Sequence, residues 1–135
     1  MKHAFLFLLP LLFLSRSFGQ SHSQVSRRPL KVAAAVAPEW PHGKMAVGKQ
    51  QVRITVTTDG YFGNVIEADL HGPRSSFSDV SEAAARLWKF YPAKANSKQT
   101  LTFVFEVFPN NDHTRRAAIT FVPPYKIVIE RGEGE

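Results

Sequence analysis

Nine residues, Thr100 to Phe108, alternate so that Leu101, Phe103, Phe105 and Val107 fall on one face of an extended chain. Successive side chains of a strand point to opposite faces, so this face is a continuous apolar band that has to be buried. Thr102, Val104, Glu106 and Phe108 form the other face. The pattern predicts a strand over about 100–108, and whatever fold the chain adopts must be built around it.

The same period of two recurs upstream. Val52, Ile54 and Val56 alternate with Arg53, Thr55 and Thr57, and Asp59-Gly60 follows them. Asp-Gly between alternating segments is a hairpin signal, because glycine accepts positive φ without a steric penalty. A hairpin over about 51–58 and 62–70 is therefore predicted, ended by Gly72-Pro73. Val80, Ala84, Leu87, Trp88 and Tyr91 then fall on one helical stripe, which predicts a helix over about 78–90. Ser78 and Asp79 are the candidate caps, Asp79 with Glu82 approximates a capping box, and Pro92 ends the helix. A helix this short cannot bury its stripe alone and should lie on the apolar face of the hairpin. Trp88 is read as core; Trp40, set between Pro38 and Pro41, either closes one end of that core or stands exposed as a contact residue. Segments 117–122 and 125–130 can add two short strands around Pro123-Pro124, with 131–135 frayed. The result is an α+β fold, a small antiparallel sheet with one main helix packed on one face.

The chain has 135 residues, the size of one domain, with 44% hydrophobic and 21% charged residues. There is no cysteine, which excludes a disulfide scaffold, a cysteine-zinc site and a thiol nucleophile. Lys2, the apolar run Ala4 to Leu14 and the small residues Ser17 and Gly19 have the three-part form of a secretory signal peptide over 1–19. An apolar run of eleven residues interrupted by Pro10 falls short of the roughly 20 that a spanning helix needs. The chain is thus expected to be exported to the periplasm, with no membrane span if the signal is cleaved. Residues 20–36 form a leader, polar over 20–28, residues 37–108 the folded domain and residues 109–135 an extension. Lysine and arginine number 17 against 11 acids, but they are scattered with no run longer than two. A nucleic-acid binder concentrates such charge, so no nucleic-acid partner is expected.

Little here suggests catalysis. The five histidines are far apart in sequence, none has a helical i, i+4 partner, and without cysteine they do not suggest a metal site. His71 with Ser78 and Asp79 is the one imaginable hydrolytic set, but no G-x-S-x-G elbow accompanies it. The expectation is no catalytic residue, no metal and no cofactor.

Trp40-Pro41, the strand Val52 to Val56, Asp59-Gly60, Val65, Ala83-Ala84-Ala85 and then Trp88, Phe90, Pro92 and Ala93 follow one order and spacing. In this the chain resembles the C-terminal domain of TonB-type energy transducers over roughly residues 37–108. The W-x-F-x-P-A ending at Trp88 to Ala93, followed by a phenylalanine-rich strand, is its most specific part. Tryptophan stands before Pro41 where the family usually has tyrosine, and Gln50-Gln51 where it usually has a glycine. The N-terminal membrane helix and long proline-rich spacer of the energy transducers have no counterpart in this sequence.

The resemblance implies a domain that docks on outer-membrane TonB-dependent transporters and contributes to energy-coupled transport. It also implies a site: Thr100, Leu101, Thr102, Phe103, Val104, Phe105 and Glu106 would form an exposed edge that takes up a periplasmic peptide of the transporter as an extra strand. Two arrangements are open. Either that edge is free, or the tail strands pair with it and the partner site shifts to the tail's own outer edge. An edge strand also admits a homodimer. The alternative function is a stand-alone exported binding or assembly module of the same fold without energy coupling. A retained N-terminus favours coupling, and a mature start at Gln20 favours the module.

Overall fold

A computed structural model describes residues 28–43 and 45–135; the expected signal peptide over 1–19 and leader residues 20–27 lie outside the described residues. Among the described residues seven strands and one helix follow in the order β1 (Val32–Ala34), β2 (Gly48–Thr58), β3 (Val65–His71), α1 (Ser76–Leu87), β4 (Lys89–Phe90), β5 (Lys98–Phe108), β6 (Ala118–Val122) and β7 (Lys126–Gly132). The fold is α+β. Five strands form one sheet in the order β3-β2-β5-β7-β6, and β1 pairs with β4 in a small separate ladder.

The predicted hairpin is β2 and β3, antiparallel with Val56 opposite Ala68 and Ile54 opposite Leu70. Its connection is longer than a two-residue turn. The Asp59 carboxylate accepts from the Phe62 and Gly63 amides at 3.1 and 3.0 Å, and Gly60 and Gly63 both take positive φ. An aspartate that bonds amides a few residues ahead closes such a loop locally. On its other side β2 pairs antiparallel with β5 from Gly48↔Val107 to Thr57↔Lys98. The tail departs from the antiparallel expectation: β7 runs parallel to β5, with Phe103 beside Ile127 and Phe105 beside Ile129, and the sheet is mixed. Strand β6 folds back antiparallel onto β7 and ends the sheet, so β7 fills the gap between β5 and β6.

Residues paired across strands share a face. One row therefore runs Val52, Phe103, Ile127, Phe121 over four strands, and on the same face lie Ile54, Leu101, Phe105 and Ile129. All but Phe121 are buried. The helix covers this face on the β3–β2 side, and Trp88 lies against Phe103 and Phe121 with ring centroids 6.1 Å away in each case.

The helix is shifted from its predicted bounds. Ser75 is the N-cap, and it shares a reciprocal capping box with Ser78, not Asp79 with Glu82. Asp79 and Glu82 instead hold Arg74 at 3.1 and 2.9 Å. The helix stops at Leu87 because Trp88 turns extended (φ −62°, ψ 147°) and the next two residues form β4. The predicted stripe is broken there, and Leu87 and Tyr91 are exposed while Ala84, Ala85 and Trp88 are buried.

The folded unit also begins earlier than residue 37. Leu30 is buried, Val32–Ala34 pairs with β4, and the Trp88 indole N–H donates to the Val36 carbonyl at 2.8 Å. Trp40 is half-buried and meets Phe105 and Phe77 edge-on, with centroids 5.7 and 6.2 Å apart. At the other end, Arg131 and Gly132 belong to β7, and the Glu133 amide donates to the Phe108 carbonyl, so 131–135 is not simply frayed.

Candidate functional site

Strand β5, which carries the predicted partner-binding residues Thr100 to Glu106, is in the middle of the sheet and not at its edge. Its backbone pairs with β2 on one side and, from Thr102 onward, with β7 on the other. Leu101, Phe103, Val104 and Phe105 are buried. The physical reason is the tail: the apolar face of β5 extends onto a second neighbour, β7, whose Ile127 and Ile129 continue the core. No extra strand can be added to β5 along that stretch without displacing β7.

The edge moves to β6. It has β7 on one side only, and every one of its five residues is exposed. Its sequence, Ala-Ile-Thr-Phe-Val, carries no charge. Natural edge strands are usually guarded by a charge, a proline or a bulge that discourages further pairing. Here the charges and prolines stand outside the strand, at Arg115-Arg116 before it and Pro123-Pro124 after it. Ile119 and Phe121 project on the core face beyond the reach of the helix, 64% and 43% exposed. The apolar band of the core thus continues onto an open edge. The opposite edge of the sheet, β3, differs: Glu67, Asp69 and His71 stand on it, and its approach is bridged by Asn64↔Lys89.

The edge is held in register by a cluster on the opposite face. Glu106 and Glu130 are side by side on β5 and β7. Like charges so placed repel. Arg115, in the loop leading to β6, donates to Glu106 at 3.0 Å and to Glu130, and lies 4.9 Å above the Phe108 ring. Lys49 adds a looser contact to Glu106 at 3.8 Å. The Arg115 hydrogen bond and charge hold the Glu106 carboxyl below its usual range, against the opposing effect of partial burial. A carboxylate with a depressed pKa contributes stability above its unfolded pKa and loses it as pH falls through the folded value. Arg115→Gln should therefore lower the melting temperature at pH 7, and the deficit should shrink as pH falls through the lowered pKa of Glu106. Melting curves of parent and variant across that range check it; a deficit that does not depend on pH would rule out the cluster's electrostatic role.

The residues of the W-x-F-x-P-A motif build the fold. Trp88 and Phe90 are buried, and Pro92 and Ala93 are exposed. The Phe90 amide donates to the Gly63 carbonyl and the Ala93 amide to the Gly60 carbonyl, both at 2.9 Å. The motif thus ties the segment after the helix to the Asp59-Gly60 loop. Pro41 is buried beside the half-buried Trp40.

His71, Ser78 and Asp79 are not brought together as a set. His71 pairs with the Thr55 hydroxyl at 2.6 Å, Ser78 with the Ser75 amide and carbonyl, and Asp79 with Arg74. Among the described residues no three histidine, aspartate or glutamate side chains gather as metal ligands. Sequence reasoning missed Arg115, since a loop arginine that answers two strand glutamates leaves no periodic trace. Compared with family models, with curated proteins and with solved structures, the chain matches none.

Proposed function

We propose that this chain is a TonB-like binding domain of the periplasm that captures a peptide segment of an outer-membrane transporter by strand addition along β6, as its part in energy-coupled transport. The observation that carries the reading is the uncharged, fully exposed edge of β6 with Ile119 and Phe121 beside it. An added strand satisfies the outward amides and carbonyls, and alternate side chains of the peptide meet the apolar shelf. The motif resemblance over Trp40 to Ala93 supplies the transporter as the partner class. The edge is equally open to a second copy of the chain, which concentration-dependent sedimentation would reveal.

Ile119→Pro and Thr120→Pro test the site as a pair. Amides alternate in direction along a strand, so one variant removes an outward donor and the other a donor to β7. Proline is tolerated at an edge where the missing amide faced solvent. The variant that keeps the parental melting temperature should bind synthetic peptides from periplasm-facing transporter segments at least tenfold more weakly. Parental affinity in that folded variant would sink the assignment of β6.

A further inference from the structure

A second site lies away from the β6 edge, in a cleft of about 690 Å³ between the first described residues and the loop after β4. Arg28, Lys31, Lys94 and Lys98 line it, and no acid does. None of the four forms an ion pair among the described residues, whereas Lys49, Arg74, Arg86 and Arg115 each do. The segregation is written in the sequence: no acid occurs before Glu39, nor between Glu82 and Glu106. Pairing of β1 with β4 brings these two acid-free stretches together.

The walls are fixed. The Tyr91 amide donates to the Lys31 carbonyl at 2.8 Å, and the Ala93 amide holds the Gly60 carbonyl. Thr58 and the turn bond reciprocally, Thr58 N–H to the Ser97 carbonyl at 2.9 Å and Asn96 N–H to the Thr58 carbonyl at 3.0 Å. Lys31 is further placed over the Tyr91 ring, 5.1 Å from its centroid. Four like charges on a rigid frame repel one another, and a bound anion would relieve that repulsion. The volume suits a ligand of small-molecule size.

We infer that this cleft binds a phosphate-bearing ligand. The choice of phosphate over carboxylate follows from the cations. Lysine binds phosphate as a point charge and the arginine fork matches phosphate oxygens, so three lysines and one arginine with no acid among them suit a tetrahedral group that carries more than one charge. The site is independent of the β6 edge.

Calorimetric titration of the full chain with pyrophosphate at constant ionic strength should give saturable binding, with amide shifts confined to residues 28–31 and 91–98. Citrate should bind at least tenfold more weakly. Lys94→Glu/Lys98→Glu, with both positions exposed and a retained cooperative melt as the check on folding, should lose at least tenfold in affinity, while Arg53→Gln keeps the parental value. Vesicles containing phosphatidylglycerol form the second arm. Cosedimentation that the double variant abolishes assigns the phosphate to a lipid headgroup; binding of pyrophosphate without cosedimentation assigns it to a soluble compound. Absence of saturable binding in both arms, citrate binding as tight as pyrophosphate, or parental affinity in the folded double variant would each overturn the inference.

Discussion

Trp88→Ala is expected to destabilise the domain by about 3–5 kcal/mol, the usual cost of truncating a buried tryptophan. Three separate contributions meet in this residue. Its ring is 1% exposed and packs against Phe103, Phe90 and Phe121, so it joins the centre of the sheet to the edge strand β6. Its indole N–H is the donor to the Val36 carbonyl, which fixes the segment carrying Leu30 and β1. Its extended backbone ends the helix. With domain stabilities of about 5–15 kcal/mol in total, a loss of this size brings the variant close to unfolding at ambient temperature. Chemical denaturation measures it: the midpoint should fall steeply, and Trp88→Phe should recover the packing but not the indole donor, landing between the two. An unchanged midpoint for Trp88→Ala would contradict the packing described here. The variant should also lose peptide capture at β6 before it unfolds globally, because Phe121 rests on the removed ring.

The sequence made the local elements readable because periodicity reports burial directly. Val52 to Val56 is buried alternately and Leu101, Phe103, Phe105 and Val107 are all buried, as their patterns demand, with Val104 on the other face of β5 buried as well. The errors lie where distant parts of the chain decide. Numerically the helical stripe continues to Tyr91, yet Lys89–Phe90 are drawn into pairing with Val32–Ala34, which no window around the helix could reveal. Ser75, Ser76, Ser78 and Asp79 all offer capping oxygens, and choosing among them needs the path of Gly72 to Arg74. The candidate site shows the same limit. Thr100 to Glu106 has the composition of a strand with two neighbours as much as of an edge. Only the parallel insertion of β7, a non-local pairing, separates the two and moves the open edge to Ala118–Val122. The basic cleft was similarly hidden, because its two acid-free stretches are distant in sequence and meet only through the pairing of β1 with β4.

Gly63→Ala should be the most disruptive of the small substitutions, costing about 3 kcal/mol or more. Gly63 has φ +71°, where an L side chain costs roughly 1–2 kcal/mol. A Cβ built there would also stand 1.7 Å from the Phe90 carbonyl oxygen, a backbone atom that cannot swing aside. Phe90 must then retreat, and the hydrogen bond from its amide to the Gly63 carbonyl, worth about 1 kcal/mol, is lost as well. Gly72→Ala separates these causes. Gly72 also has positive φ, +96°, but a Cβ there meets nothing within 4 Å. It should therefore show the conformational cost alone. The difference between the two variants measures the close approach of the Asp59-Gly60 loop to the segment after the helix, the junction that the motif residues Trp88 to Ala93 serve. Equal stabilities for the two would show that the approach is relieved cheaply. A much larger loss at Gly63, with β4 amides exchanging rapidly while those of β5 stay protected, would show that this junction holds Phe90 and the basic cleft in place.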